Sequence, residues 1–226
     1  MAETLKTLDY IVAFIDILGS KQRIKDDCDG SLNVVHNVYE ESLALFGDLF
    51  KERVKFHVSI FSDNIVIATK VENEKLLQWY FQTTHFMAAI LQGNFLFNNL
   101  LVRGAITRGS FYCDDLMVWG KALVQAYTLE SSVAFYPRII VDPNLIGEMG
   151  LTVQKNDEHY WLIQDVDGMF YLDYLQAKYI KNFRHMILSE SERYDDRIIK
   201  ALDMPNVAQK VIWHLEYIKK KAAEVL

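Results

Sequence analysis

Residues 10–19 read Tyr-Ile-Val-Ala-Phe-Ile-Asp-Ile-Leu-Gly. The run is apolar and rich in β-branched residues, the pattern of a strand buried on both faces. Asp16 interrupts it and Gly19 ends it. A lone carboxylate in such a strand costs several kcal/mol unless a cation, a set of N–H donors or a proton meets it. Residues 58–68, Val-Ser-Ile-Phe-Ser-Asp-Asn-Ile-Val-Ile-Ala, repeat the theme. There Asp63-Asn64 separates two apolar runs, as the turn of a β-hairpin does.

Taken singly, Asp63 fits an ordinary turn, and Asp16 fits a buried carboxylate held by backbone N–H groups. Taken together they point to a divalent metal. At roughly 4 Å two carboxylates repel by about 4 kcal/mol at an effective dielectric near 20. A hard cation removes that repulsion, and Mg²⁺ typically binds one or two carboxylates plus substrate phosphates. Ile17-Leu18-Gly19-Ser20 follows Asp16 and precedes a helical pattern, so its N–H groups are candidates to cradle phosphate oxygens.

Outward from these stretches, residues 31–52 carry Val35, Val38, Tyr39, Leu43, Phe46, Leu49 and Phe50 at helical spacing. Strands are expected at about 54–61 and 65–70, and a long helix at 74–97. Another strand is expected at 100–107 with Arg103 inside it, followed by a turn near Gly109. Gly120 opens a helix over 121–133, residues 137–141 return as a strand, and Asp142-Pro143 caps a short helix. The order β-α-β-β-α-β is that of a ferredoxin-like α/β (α+β) sheet with helices packed on it. Beyond it, 160–163 and 169–174 read as a second hairpin across Asp165 to Gly168. Residues 178–226 are mostly helical, with a break near Pro205. No repeat or flexible linker divides the chain, so the expected layout is a core over 1–150 and a C-terminal hairpin and helical extension of the same domain over 151–226.

The 226 residues suffice for a sizeable core. A formal net charge of −6 argues against a general nucleic-acid-binding face. Cys28 and Cys113 make neither a metal-ligand spacing nor a disulfide framework, which suits a reducing cytoplasm. The first residues lack the layout of a signal peptide, and no apolar run reaches the roughly 18–20 residues of a membrane span. A soluble, cytoplasmic protein is expected. The six histidines show no zinc-site spacing.

Four stretches resemble the core motifs of class III nucleotidyl cyclases, in order, over residues 10–141. They are Phe14-Ile15-Asp16-Ile17-Leu18-Gly19, Phe61-Ser62-Asp63-Asn64, Val102-Arg103-Gly104-Ala105-Ile106, and Val118-Trp119-Gly120 followed by Leu129-Glu130-Ser131. The resemblance implies two Mg²⁺ or Mn²⁺ ions per site, with Asp16, Ile17 and Asp63 as metal ligands and Asp16 and Asp63 as catalytic residues. It implies a head-to-tail homodimer with sites at the interface. The implied reaction is attack of a ribose 3′-oxygen on the α-phosphate with release of pyrophosphate. Ile17, Leu18, Gly19, Ser20, Ser59, Arg103 and Met117 are the implied substrate-binding positions.

The departures from that pattern narrow it. Ser59 stands where purine cyclases carry one base-selecting residue, and Met117 where they carry another. Val124 and Thr128 stand in place of the asparagine and arginine that orient the ribose and stabilise the transition state. Arg103 to Gly109, Gly120 to Glu130 and Tyr136-Pro137-Arg138-Ile139 look like the bacterial pyrimidine cyclases of the Pycsar anti-phage system. That likeness implies UTP or CTP as substrate, cyclic UMP or cyclic CMP as product, and a separate effector that senses the product. A cyclase-like nucleotide sensor without activity and a purine cyclase with unusual base contacts are the alternatives.

Overall fold

The computed structural model describes residues 4–50, 53–151, 161–175 and 204–225. β1 (Leu8–Ile17) is the central strand, followed by α1 (Ser20–Asp26) and α2 (Cys28–Phe50). The hairpin β2 (Phe56–Phe61) and β3 (Asn64–Lys70) leads through a 3₁₀ turn to α3 (Leu77–Phe97) and the long β4 (Val102–Cys113). Then come β5 (Val118–Gly120), α4 (Lys121–Ser132), β6 (Ile139–Val141), α5 (Pro143–Glu148), β7 (Leu162–Gln164), β8 (Phe170–Leu172) and a C-terminal helix, α6 (Pro205–Val225).

The strands form one sheet in the order β2-β3-β1-β4-β6-β8-β7, with β5 paired to the far half of β4. The first four positions are the split βαβ arrangement expected from the sequence. β1 runs antiparallel to both β3 and β4, whereas β6 runs parallel to β4, the pairing that a helical crossover through α4 permits. The second hairpin is not an appendage: β8 pairs with β6 and extends the same sheet.

Because side chains alternate along a strand, β1 feeds two cores. Ile11, Ala13, Ile15 and Ile17 join Ile65, Ile67, Val102 and Ile106 beneath α2 and α3. Val12 and Phe14 face the other way, against Val66, Phe111, Ala122 and Ala126 under α4. α6 lies beside α4 on that second face, burying Ala208, Val211, Leu215 and Ile218 against Ala105, Ala134, Ile140 and Tyr171. Gly104 allows β4 to approach β1: a Cβ there would lie 2.4 Å from the Phe14 carbonyl oxygen.

Several boundaries differ from the sequence expectation. The hairpin turn is Ser62-Asp63, with Ser62 in the left-handed region (φ 56°), so Asn64 is already paired. The polar stretch after β1 forms a helix from Ser20, and it is divided from α2 at Asp27, whose carboxylate accepts from the Gly30 N–H at 2.9 Å and caps α2. β4 runs on through Gly109 instead of turning, because it pairs with β1 as far as Phe111 and with β5 to Cys113. α6 starts at Pro205, consistent with the break expected there. The helix expected over 178–203 and the start of the second hairpin at 160 lie outside the described residues.

α3 is buried along most of its length and carries one histidine in the interior. His85 donates from Nε2 to the Trp161 carbonyl at 3.1 Å, and burial pushes its pKa down to about 4. The neutral ring is therefore favoured by folding. Stability is expected to be full above the ordinary histidine value and to fall as pH drops from about 6.5 towards about 4, by roughly 3 kcal/mol in all. Urea unfolding between pH 7.5 and 4 tests this, with His85→Gln flattening the acid limb if the histidine is its source.

Candidate active site

Asp16 sits near the end of β1, with Asn64 of β3 on one side and Arg103 of β4 on the other. All three project to the sheet face that carries α4 and α6. Asp63, in the β2–β3 turn, is brought beside them because its carbonyl accepts from the Ile17 N–H at 3.0 Å. The Ser20 hydroxyl, at the first position of α1, donates to Asp63 Oδ2, and the Asn64 amide donates to Asp63 Oδ1 at 3.2 Å. The two aspartates thus converge.

Their electrostatics differ. Burial raises the Asp16 pKa, Arg103 pulls it down, and the Asp63 charge raises it again; the net is above the ordinary value. For Asp63 burial also pushes upward but is outweighed by hydrogen bonds from Ser20, its own N–H and Ser62 and by the Lys21 charge, leaving the pKa below the usual range. Arg103 Nε donates to Asp16 Oδ2 at 3.3 Å and lies 2.6 Å from Glu130 Oε1 of α4. Glu130 is buried, with burial raising its pKa against the pull of Arg103.

Sequence reasoning missed two members of this cluster. Glu130 was legible only as part of the Leu-Glu-Ser motif, with no sign that it turns towards β4. Lys210, on α6, lies in the field of Asp16, Glu130 and Arg103. Burial and Arg103 lower its pKa, and the two carboxylates partly restore it.

The phosphate cradle is shorter than expected. The Ile17 N–H is taken by Asp63 and the Leu18 N–H donates to the Leu101 carbonyl at 2.8 Å. Only Gly19, in the left-handed conformation (φ 77°), Ser20 and Lys21 keep N–H groups without a partner among the described residues. Arg108 is held by Asp9, Glu74 and Glu148 on the opposite sheet face and takes no part. Ser59 lies on β2 opposite Val66, half-buried on the same face as Asp16. Met117 lies in the β4–β5 turn and lines a 680 Å³ cavity with Leu5, Lys6, Thr7, Tyr112 and Trp119. β4 reaches that turn beyond Phe111, which pairs with Leu8 at the far end of β1 from Asp16. Eight residues of strand, roughly 26 Å at ~3.3 Å per residue, separate the two levels.

The donor set fits a hard divalent ion. The Asp63 charge raises the cost of ionising Asp16, and a cation relieves it. Among the described residues no group of three or more His, Cys, Asp or Glu forms a cage, so such an ion would bring water or phosphate to complete its shell.

The fold is that of the class III nucleotidyl cyclases. The adenylyl cyclase CyaB from P. aeruginosa superposes with a TM-score of 0.52 at 14% identity, over 75% of this chain and 95% of that one. The monomeric guanylyl cyclase domain of the RhoGC fusion protein from Blastocladiella emersonii gives 0.51 at 13%, over 75% and 96%. The catalytic core of a rhodopsin-guanylyl cyclase of converted specificity, in complex with ATPalphaS, gives 0.52 at 12%, over 76% and 98%. No family model matches the sequence, and no curated protein does.

With Asp16 above its ordinary pKa, its ionised form costs the folded state stability at neutral pH, and the cost fades as pH falls through the raised value. Asp16→Asn is therefore expected to raise the melting temperature of the metal-free protein at pH 7, with a gain that shrinks towards pH 4. Added Mn²⁺ should stabilise the wild type and not the variant. Thermal melts with and without EDTA read both effects.

Proposed function

We propose that this chain is a metal-dependent nucleotidyl cyclase that converts a pyrimidine nucleoside triphosphate, UTP before CTP, to its 3′,5′-cyclic monophosphate and pyrophosphate. The convergence of Asp16 and Asp63 beside Arg103, in a cyclase fold, carries this reading. Asp16 and Asp63 would hold two Mg²⁺ or Mn²⁺ ions, and these would supply Lewis-acid chemistry to the triphosphate and charge neutralisation for the departing pyrophosphate. Ser20 fixes the Asp63 carboxylate through its hydroxyl, and Glu130 and Asp16 fix the Arg103 guanidinium, so the charged groups are set before substrate arrives. Most of the work in such a transfer is positioning and electrostatics.

Base choice rests on Ser59 and Met117. A single short hydroxyl and a thioether offer little to hydrogen-bond a purine edge. The Met117 cavity and the aspartates of one chain stand at opposite ends of β1. One nucleotide held by both kinds of residue would therefore take them from two copies, which supports a twofold homodimer with sites at the interface. A product of this kind would serve as a second messenger read by a separate effector, in the anti-phage setting that the sequence resemblance implies.

A second reading, nucleotide binding without turnover, is favoured by α4. Val124 is an exposed apolar residue where the family carries asparagine, and the Thr128 hydroxyl is spent on the Val124 carbonyl at 2.7 Å. Incubation with equal concentrations of all four NTPs and Mn²⁺, with products identified by mass spectrometry, separates the readings. Cyclic UMP or cyclic CMP should dominate, Asp63→Ala should abolish it by several orders of magnitude, and Ser59→Ala should blur UTP against CTP while purines stay excluded. Preferred cyclisation of ATP or GTP would end the pyrimidine reading, and absence of any product would leave the sensor.

A further inference from the structure

The buried residues of α4 are Ala122, Ala126 and Glu130, four apart on the one face that packs on β1 and β4. The two alanines lie against Val12, Phe14 and Phe111. The third position of the stripe, where another small or apolar residue would suit the packing, carries a carboxylate that is only 3% exposed. A charge so placed is costly unless a partner meets it.

The partner is Arg103, yet the pair is not closed. Arg103 Nε lies 2.6 Å from Glu130 Oε1, but its single N–H is directed at Asp16 Oδ2, 3.3 Å away. Glu130 Oε1 is shut off from solvent and accepts no hydrogen bond among the described residues. Lys221 and Asp173 show what a structural pair looks like in the same molecule: both are buried, and the ammonium donates at 2.6 Å. At Arg103 one N–H stands between two carboxylates, and the one that receives it is a metal ligand of the proposed site. A cation on Asp16 competes with that N–H, and the nearest acceptor still open is Glu130 Oε1.

We infer that Glu130 is a positioning residue of the metal site. It takes the Arg103 N–H over from Asp16 when Asp16 binds a divalent cation, which frees the carboxylate for the metal and keeps the guanidinium beside it. This rests on the metal-dependent reading above and deepens it, because it gives a buried residue of α4 a role in metal affinity. Without Glu130, Arg103 has Asp16 alone and competes with the cation for it.

The test is calorimetric titration of Mn²⁺ into the full chain without nucleotide, run as a double-mutant cycle on Glu130 and Arg103. Glu130→Met removes the acceptor and suits a buried stripe, and it should weaken Mn²⁺ binding by about tenfold, the scale of one charge-assisted hydrogen bond. In the Arg103→Met background the same change should matter by no more than about twofold, because no guanidinium is left to hold away from Asp16. Equal weakening in both backgrounds overturns the inference, since it makes Glu130 a metal ligand or a remote charge. So does wild-type affinity in Glu130→Met. A second measurement leaves Glu130 in place: solvent exchange of the Arg103 Nε–H, assigned by its loss in the double variant, should slow when Mg²⁺ is added. Faster exchange means that the released guanidinium goes to water, and it too overturns the inference. A wild-type chain that binds neither Mn²⁺ nor Mg²⁺ removes the metal-dependent reading, and this inference with it.

Discussion

Asp16 and Asp63 are held near one another at one end of a strand that is otherwise buried on both faces, and that constraint organises the neighbourhood. Neither carboxylate can be left to water alone. Asp63 is stabilised by neutral donors, the Ser20 hydroxyl of α1 and the neighbouring Asn64 amide. Asp16 has no such neutral donors and depends on charged partners, Arg103 from β4 and the field of Lys210 from α6. The sheet order, which places β3 and β4 on either side of β1, is what makes both solutions available at once. The asymmetry of the two pKa shifts follows from it, since the better-donated carboxylate ends below its usual value and the other above.

Much of this is legible in the sequence, and the reason is periodicity. β1 and β3 are apolar runs with one polar interruption each, so the positions of Asp16 and Asp63 on strand and turn follow from pattern alone. The sheet order follows because βαββαβ has few compact solutions. What is not legible is what depends on partners far along the chain. The fate of a backbone N–H cannot be read from its own tetrapeptide: Ile17 and Leu18 look available for phosphate until Asp63 and Leu101 claim them. The strand through Gly109 reads as a turn because glycine signals one, and only pairing on both sides keeps β4 extended. Glu130 and Lys210 belong to helices whose polar residues look solvated. Their roles appear only when α4 and α6 pack side by side over β4.

The arginines and lysines of the molecule separate structure from function by how completely they are paired. Arg138 is almost wholly buried, ion-paired to Asp165 and Asp167, with its guanidinium over the rings of Tyr136, Tyr171 and Trp213. It ties the β7–β8 hairpin to β6 and to α6. Arg108 joins three elements through three carboxylates, and these keep its proton far more firmly than usual. Both have more negative partners than charge to offer, so neither has reason to bind an anion. Arg103 differs, because one of its two carboxylates is a metal ligand in the proposed enzyme.

Local charge would therefore depend on loading. In the metal-free chain Asp16, Asp63 and Glu130 are balanced by Arg103, by Lys21 acting on Asp63 and by the field of Lys210. With the aspartates engaged, the same cluster presents two cations against Glu130 and favours the polyphosphate. Metal and nucleotide would then bind cooperatively without any rearrangement of the fold, each relieving the charge the other leaves uncompensated.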